Sequence, residues 1–140
     1  EGYQRALFKH GLPVNPDYCI EADKLSLDEN GPFQKLLEQK ERPTAVVASD
    51  DILAVALERT CIRLGLSVPA DVSIVSFNNS LLARITSPQL TSIDVNSCQL
   101  GMEAASQLIN HIENPNLLAT KIIVPHVMVV RGSCRQIVSD

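Results

Sequence analysis

Two short polar pairs stand where apolar runs stop: Ser49 and Asp50 after "TAVVA", and Asn78 and Asn79 after "VSIVSF". A carboxylate only accepts hydrogen bonds, whereas a serine hydroxyl and an asparagine amide both donate and accept. Such a set suits a ligand rich in hydroxyl groups, such as a sugar, if the fold brings the two pairs to one edge. The plainer alternative is that Asp50 and Asn79 merely cap the elements that follow them. Acid–base catalysis fits poorly, because Asp50 and Asp51 are neighbours that would diverge by about 100 degrees at a helix start. There is no G-x-S-x-G elbow, no H-E-x-x-H and no glycine-rich phosphate loop. His10, His111 and His126 fall at or near helix ends or beside a proline. No enzyme is expected, and no cofactor or metal site is read.

The surrounding pattern says which elements must position these pairs. Tyr3, Ala6, Leu7 and His10 have helical spacing, and Gly11 followed by Pro13 predicts the end of a first helix. "DYCIEA" is a strand candidate, "DKLSLDENG" a polar connection, and Pro32 suits the first turn of a helix through "PFQKLLEQK". "TAVVAS" predicts a strand buried on both faces. Ser49 or Asp50 then caps a helix through "DILAVALERTCIRL" that ends at Gly65, and "SVPAD" turns into the strand "VSIVSF". Helix and strand alternate with short loops, which is what βαβ units and a parallel sheet produce. Right-handed crossovers put the carboxyl ends of the strands, and both polar pairs, on one edge, where open α/β sheets bind ligands. Further on, "SLLARITSPQLTSIDV" reads as a loop or short helical turn leading to a small strand. Asn96 or Ser97 caps a helix in which Leu100, Ala104, Leu108 and Ile112 repeat every four residues. Pro125 restricts the final extended stretch to an edge strand or two short pieces.

Of the 140 residues, 45% are hydrophobic, enough for one core, and the net charge is −4. The twelve Lys and Arg are scattered, so no basic stripe is available to hold a phosphate backbone. Charges or prolines interrupt every apolar run well short of the roughly 18 to 20 residues of a membrane helix. Cys19, Cys61, Cys98 and Cys134 are far apart and sit among apolar neighbours, and are read as buried thiols in a reducing compartment. "EGYQRALFKHG" resembles the inside of a helix rather than a beginning, so a piece of a longer protein is expected.

The run "RPTAVVASDDILAVALERTCIRLGLSVPADVSIVSFNNSLLARITSPQLTSID" closely resembles the effector-binding core of LacI/GalR-type bacterial transcription regulators. In that family strand, polar pair, helix, "G-x-x-V-P-x-D-V-S", strand, polar pair and "P-x-L-T" come in this order. The match continues through the "LG" helix to the closing "VVRGSC", nearly the whole chain. "SFNNS" and "TSPQLTSIDVNS" are most similar to maltose-operon repressors.

The resemblance implies a periplasmic-binding-protein-like α/β fold, with the effector between two subdomains. This chain would supply mainly the C-terminal subdomain, about residues 1–93 and 118–135, and the helix at about 96–115 would pack on the first subdomain, most of which is absent here. The family's polar pairs are usually Asn-Asp and Asp-Asp. Their counterparts here, Ser49 with Asp50 and Asn78 with Asn79, become the candidate effector-binding residues, neutral amides replacing two carboxylates. The family's effector-contacting Arg would fall just before residue 1, and the chain has no Trp.

The resemblance also implies a cytoplasmic homodimer that reaches operator DNA through an N-terminal helix-turn-helix outside this chain, with no membrane partner. The expected dimer contact is an exposed face of the helix after Asp50, near Ala54 and Leu57, together with Leu81, Leu82 and Ile85. A secreted sugar-binding protein of a transport system has the same fold and remains the alternative. The run of motifs and the cysteines favour the regulator.

Overall fold

The computed structural model describes residues 1–21 and 31–137, and its contacts divide into two units, Glu1–Pro43 and Thr44–Asp140. In the first unit, α1 (Gly2–Lys9) stops as predicted, with Gly11 at a φ of +67°. The strand expected at "DYCIEA" does not form through Glu21. A single 3-10 turn, Pro16–Tyr18, stands there instead, and the Asn15 side-chain oxygen accepts the Asp17 N–H at 3.0 Å. Proline after an asparagine cap sets up a turn that outweighs the β preference of Tyr and Ile. "DKLSLDENG", apart from Gly31, lies outside the described residues. α2 (Pro32–Leu37) begins on its proline and ends three residues before Lys40, burying Leu36 and Leu37.

The second unit is built on a four-stranded sheet in the order β1 (Ala45–Val47), β2 (Ser73–Phe77), β3 (Thr91–Asp94), β4 (Val127–Val129). β1, β2 and β3 run parallel, and β4 is antiparallel to β3. α3 (Asp51–Arg63) crosses from β1 to β2 and ends as expected at Gly65, φ +71°. α4 (Leu81–Ile85), the short helical turn, packs against α3. Leu53, Ala54, Leu57 and Cys61 of α3 are buried, as are Ile74 of β2, Val72 before it, Ala83 and Leu90. β4 forms only after Pro125 and lies at the sheet edge, where a residue without an N–H is tolerated.

Three expectations are corrected. β1 is not buried on both faces: it is an edge strand with one neighbour among the described residues, and Val47 is 61% exposed. Ala54 and Leu57 are not on an exposed helix face but are fully buried, because α3 has sheet on one side and α4 on another. The face that α3 leaves open carries Ile52, Arg59 and Ile62 instead. None of the four cysteines forms a disulfide, but Cys61 alone is buried; Cys19 and Cys98 are exposed and Cys134 is half-buried. Cys98 is exposed for a clear reason, since α5 (Ser97–Glu113) buries no residue at all.

Candidate functional site

Strand register decides which polar groups meet. Val47 is level with Val75 and the Ala48 N–H donates to Val75 O at 2.8 Å. Phe77 is level with Ile93, and the Asn78 N–H donates to Ile93 O at 2.9 Å. Ser49–Asp50, Asn78–Asn79 and Asp94–Asn96 therefore all leave the sheet at its carboxyl edge. The four sequence candidates then divide by what their side chains do. Ser49 and Asn78 are exposed. Asp50 is buried as the N-cap of α3, its carboxylate accepting the Leu53 N–H at 3.0 Å. Asn79 is buried and fully engaged in the fold.

Asn78 and Asn79 have φ of +94° and +46°. The left-handed region is strained for residues with a Cβ, by about 1 to 2 kcal/mol each, and asparagine tolerates it better than most. The strained backbone is held from below. Asp51, 2% exposed, is the first residue of α3 and points its carboxylate under the turn. Its Oδ2 accepts the Ser80 N–H at 2.6 Å, and its Oδ1 accepts the hydroxyls of Ser76 at 2.5 Å and Ser92 at 2.8 Å. Ser92 Oγ in turn accepts the Asn79 N–H at 3.0 Å. Ser76 and Ser92 are register partners, so their side chains share one sheet face. Burial pushes the Asp51 carboxyl up, but the bonds from Ser76, Ser80 and Ser92 more than offset this and hold it below its usual value.

The Asn79 amide joins two groups of opposite demand. Its oxygen accepts from Arg131 Nη2 at 2.5 Å, and its nitrogen donates to Asp94 Oδ2 at 2.9 Å. A guanidinium only donates and a carboxylate only accepts, so the amide has one possible orientation and a carboxylate could not replace it unprotonated. Arg131 is fixed by three further bonds: Nη1 donates to Leu90 O at 2.7 Å, its N–H donates to Thr91 Oγ1 at 3.0 Å, and its carbonyl accepts from Thr91 Oγ1 at 3.3 Å. Asp94 Oδ1 accepts the Asn96 N–H at 2.8 Å. The hydrogen bonds from Asn79 and Asn96 hold the Asp94 carboxyl below its usual value.

Sequence reasoning missed Asp51 as a holder of the turn, and with it Ser76, Ser92, Asp94 and Arg131. The signals were present: serines inside the apolar runs "VSIVSF" and "LTSI" need a buried partner, and the cation in "VVRG" closes an apolar strand. An open hollow of about 960 Å³ lies along α1, but Glu1, Arg5, Phe8, Lys9 and the other described residues lining it are all exposed, so it presents no fixed polar group. Among the described residues no helix is long and apolar enough to cross a membrane, and no three His, Cys, Asp or Glu are grouped to hold a metal ion.

Residues 1–134 match the family described as periplasmic binding protein-like domain. The chain is 32% identical over 135 residues to catabolite control protein A of Priestia megaterium, covering 96% of this chain and 41% of that protein. It thus spans less than half the length of that relative. Among solved structures it is similar to a putative LacI transcriptional regulator from Bacillus cereus subsp. cytotoxis NVH 391-98, with a TM-score of 0.87, 37% identity, and coverage of 96% of this chain and 48% of that one. It is also similar to the transcriptional regulator CelR in complex with cellobiose, with a TM-score of 0.84, 26% identity, and coverage of 94% and 40%.

Proposed function

Because the chain belongs to the periplasmic-binding-protein-like family, as the effector-binding domain of LacI-type transcriptional regulators, we propose that it is the sugar-sensing and dimerising part of a bacterial repressor. The proposed effector is a glucose disaccharide or short oligosaccharide, with maltose first. Two things support that choice: the motifs "SFNNS" and "TSPQLTSIDVNS", and the cellobiose held by a regulator of the same fold. The observation that carries the reading is Asn78, an exposed amide in a left-handed backbone at the carboxyl edge. Strain of that kind is retained where a side chain must be aimed. Asn78 would accept one sugar hydroxyl and donate to another, with Ser49 offering a hydroxyl beside it. Asp50 and Asn79 belong to the same site mainly as the groups that fix its floor.

Effector bound at this edge would favour one arrangement of the two subdomains, and its differential affinity, about 1 to 3 kcal/mol in such switches, would reach operator DNA through an N-terminal helix-turn-helix. The apolar stripe Leu100, Leu108 and Ile112 of α5, all at least half exposed, would pack on the first subdomain. The homodimer contact would use Leu81 (71% exposed) and Ile85 (65% exposed) with Ile52 and Ile62, Leu82 contributing its exposed part. Such a protein works in the cytoplasm. The regulator is preferred to a secreted transport receptor because the similar solved structures are named as transcriptional regulators.

Calorimetric titration of the full-length protein with maltose tests the site. Asn78→Ala is expected to weaken binding by about 1 to 3 kcal/mol; an unchanged affinity removes Asn78 from the effector site.

A further inference from the structure

The edge that carries Asn78 is made of strained backbone, and one buried carboxylate holds two of its N–H groups, one directly and one through Ser92. Asn78, Asn79 and Ser80 join β2 to α4, and two of their three N–H groups end on Asp51: Ser80 directly at 2.6 Å, Asn79 through Ser92 Oγ at 3.0 and then 2.8 Å. The third, from Asn78, goes to Ile93 O. Asp51 also sits one residue after Asp50, so the helix that begins the Ser49 side of the edge also anchors the Asn78 side.

We propose that Asp51 is a positioning residue for the effector site, clamping the 78–80 turn so that the Asn78 amide and Ser49 face the ligand together. This rests on the reading of Ser49 and Asn78 given above. Asp51 does not touch the ligand; it acts through the turn and sets both affinity and the choice among sugars. The geometry singles it out because one carboxylate oxygen accepts from the turn itself and the other holds Ser92, which reaches the turn, together with Ser76. Asparagine at this position would present one oxygen where two are used. Either the Ser80 N–H or the Ser76 and Ser92 hydroxyls would then meet an NH2 group.

The experiment uses the full-length protein, Asp51→Asn, and two probes, maltose and cellobiose. Affinity for whichever sugar the parent binds is expected to fall by about tenfold or more while the variant remains folded, the size of a lost hydrogen bond to a charged group. Because Asp51 acts through Asn78, adding Asp51→Asn to Asn78→Ala should cost little further, a non-additivity that simple loss of stability would not produce. Amide hydrogen exchange without ligand gives an independent reading. Asn79 and Ser80 should exchange about 10- to 100-fold faster in the variant while Ile74 and Val75 keep their rates. Ser76→Ala, which removes a hydroxyl from Asp51 but nothing from the turn, should change the 79–80 rates less than about threefold.

Should Asp51→Asn fail to fold, Ser92→Ala removes the acceptor of the Asn79 N–H and one hydroxyl bound to Asp51 but leaves the Ser80 N–H on Asp51, and it should show the same signature at smaller size. Unchanged affinity with additive variants overturns the proposal, as does unchanged exchange at 79 and 80, or a Ser76→Ala effect as large as that of Asp51→Asn. If the parent binds neither sugar, the choice of effector fails, and the exchange rates alone decide whether Asp51 holds the turn.

Discussion

Replacing Asn79 separates two effects that the structure superimposes at one position. The amide oxygen accepts from a guanidinium at 2.5 Å, and a hydrogen bond to a charged group contributes about 1.5 to 3 kcal/mol. The backbone φ of +46° adds about 1 kcal/mol or more for alanine, which lacks asparagine's tolerance of the left-handed region. Asn79→Ala should therefore cost about 2.5 to 4 kcal/mol, a large part of the stability of a domain of this size. Asn79→Gly loses the same amide but relieves the backbone, while its freer unfolded chain returns about 0.5 to 1 kcal/mol of that relief. It should remain more stable than the alanine variant by up to about 0.5 kcal/mol. Urea unfolding of the full-length protein, read as midpoint shifts at constant slope, measures both. A glycine variant as stable as the parent would show that the Arg131–Asn79–Asp94 tie contributes nothing. An alanine variant more stable than the glycine variant would refute the left-handed backbone.

Glu58 offers a test by pH. It is buried, its Oε1 has no hydrogen-bond partner among the described residues, and burial pushes its carboxyl above the usual value. A folded-state value above the unfolded one means that stability is fully present below the unfolded value and is lost as pH rises through the folded one. Glu58→Gln should raise the melting temperature at pH 7 and change it little at pH 4; equal shifts at both would contradict the assignment. Leu57 and Leu81 should behave oppositely. Leu57→Ala opens a cavity and should cost about 2 to 5 kcal/mol without altering subunit association, whereas Leu81→Asp should shift sedimentation toward monomer with little change in stability. Dissociation by Leu57→Ala at unchanged stability would show that the two faces of α3 have been exchanged.

What could be read from the sequence followed from local rules. Gly11 and Gly65 end helices because they take a positive φ, and Asp50 caps α3 because its carboxylate reaches the N–H three residues on; both depend on residues a few positions apart. The alternation of strand and helix fixed the parallel register and hence the shared edge of Ser49 and Asn78. What failed depended on neighbours in space. "TAVVAS" has the composition of a central strand, yet among the described residues its sheet position, set by pairing partners, is an edge. Ala54 and Leu57 were misplaced because α3 is apolar on more than one side, and periodicity alone does not say which side meets β2 and α4. The role of Asp51 spans 25 to 41 residues of sequence, the separations to Ser76 and Ser92, and no local pattern reports contacts of that range.

The neutral pair that closes β2 now has two explanations rather than one. At position 79 the amide suits its neighbours, since Arg131 needs an acceptor and Asp94 a donor, and a neutral amide supplies both where an ionised carboxylate supplies only the first. A carboxylate there would gain at Arg131 and face Asp94 with no proton between them. At position 78 no such requirement exists, because the side chain is exposed and its backbone N–H is already used by Ile93. The positive φ of residue 78 already favours asparagine within the fold, and the proposed contact with a sugar would give its exposed amide a further use. A neutral amide there lowers the desolvation cost of enclosing a sugar, compared with a carboxylate. Asn78→Asp would restore a charge at that position alone, so its effect on sugar affinity isolates the cost of burying the charge from the value of the extra donor.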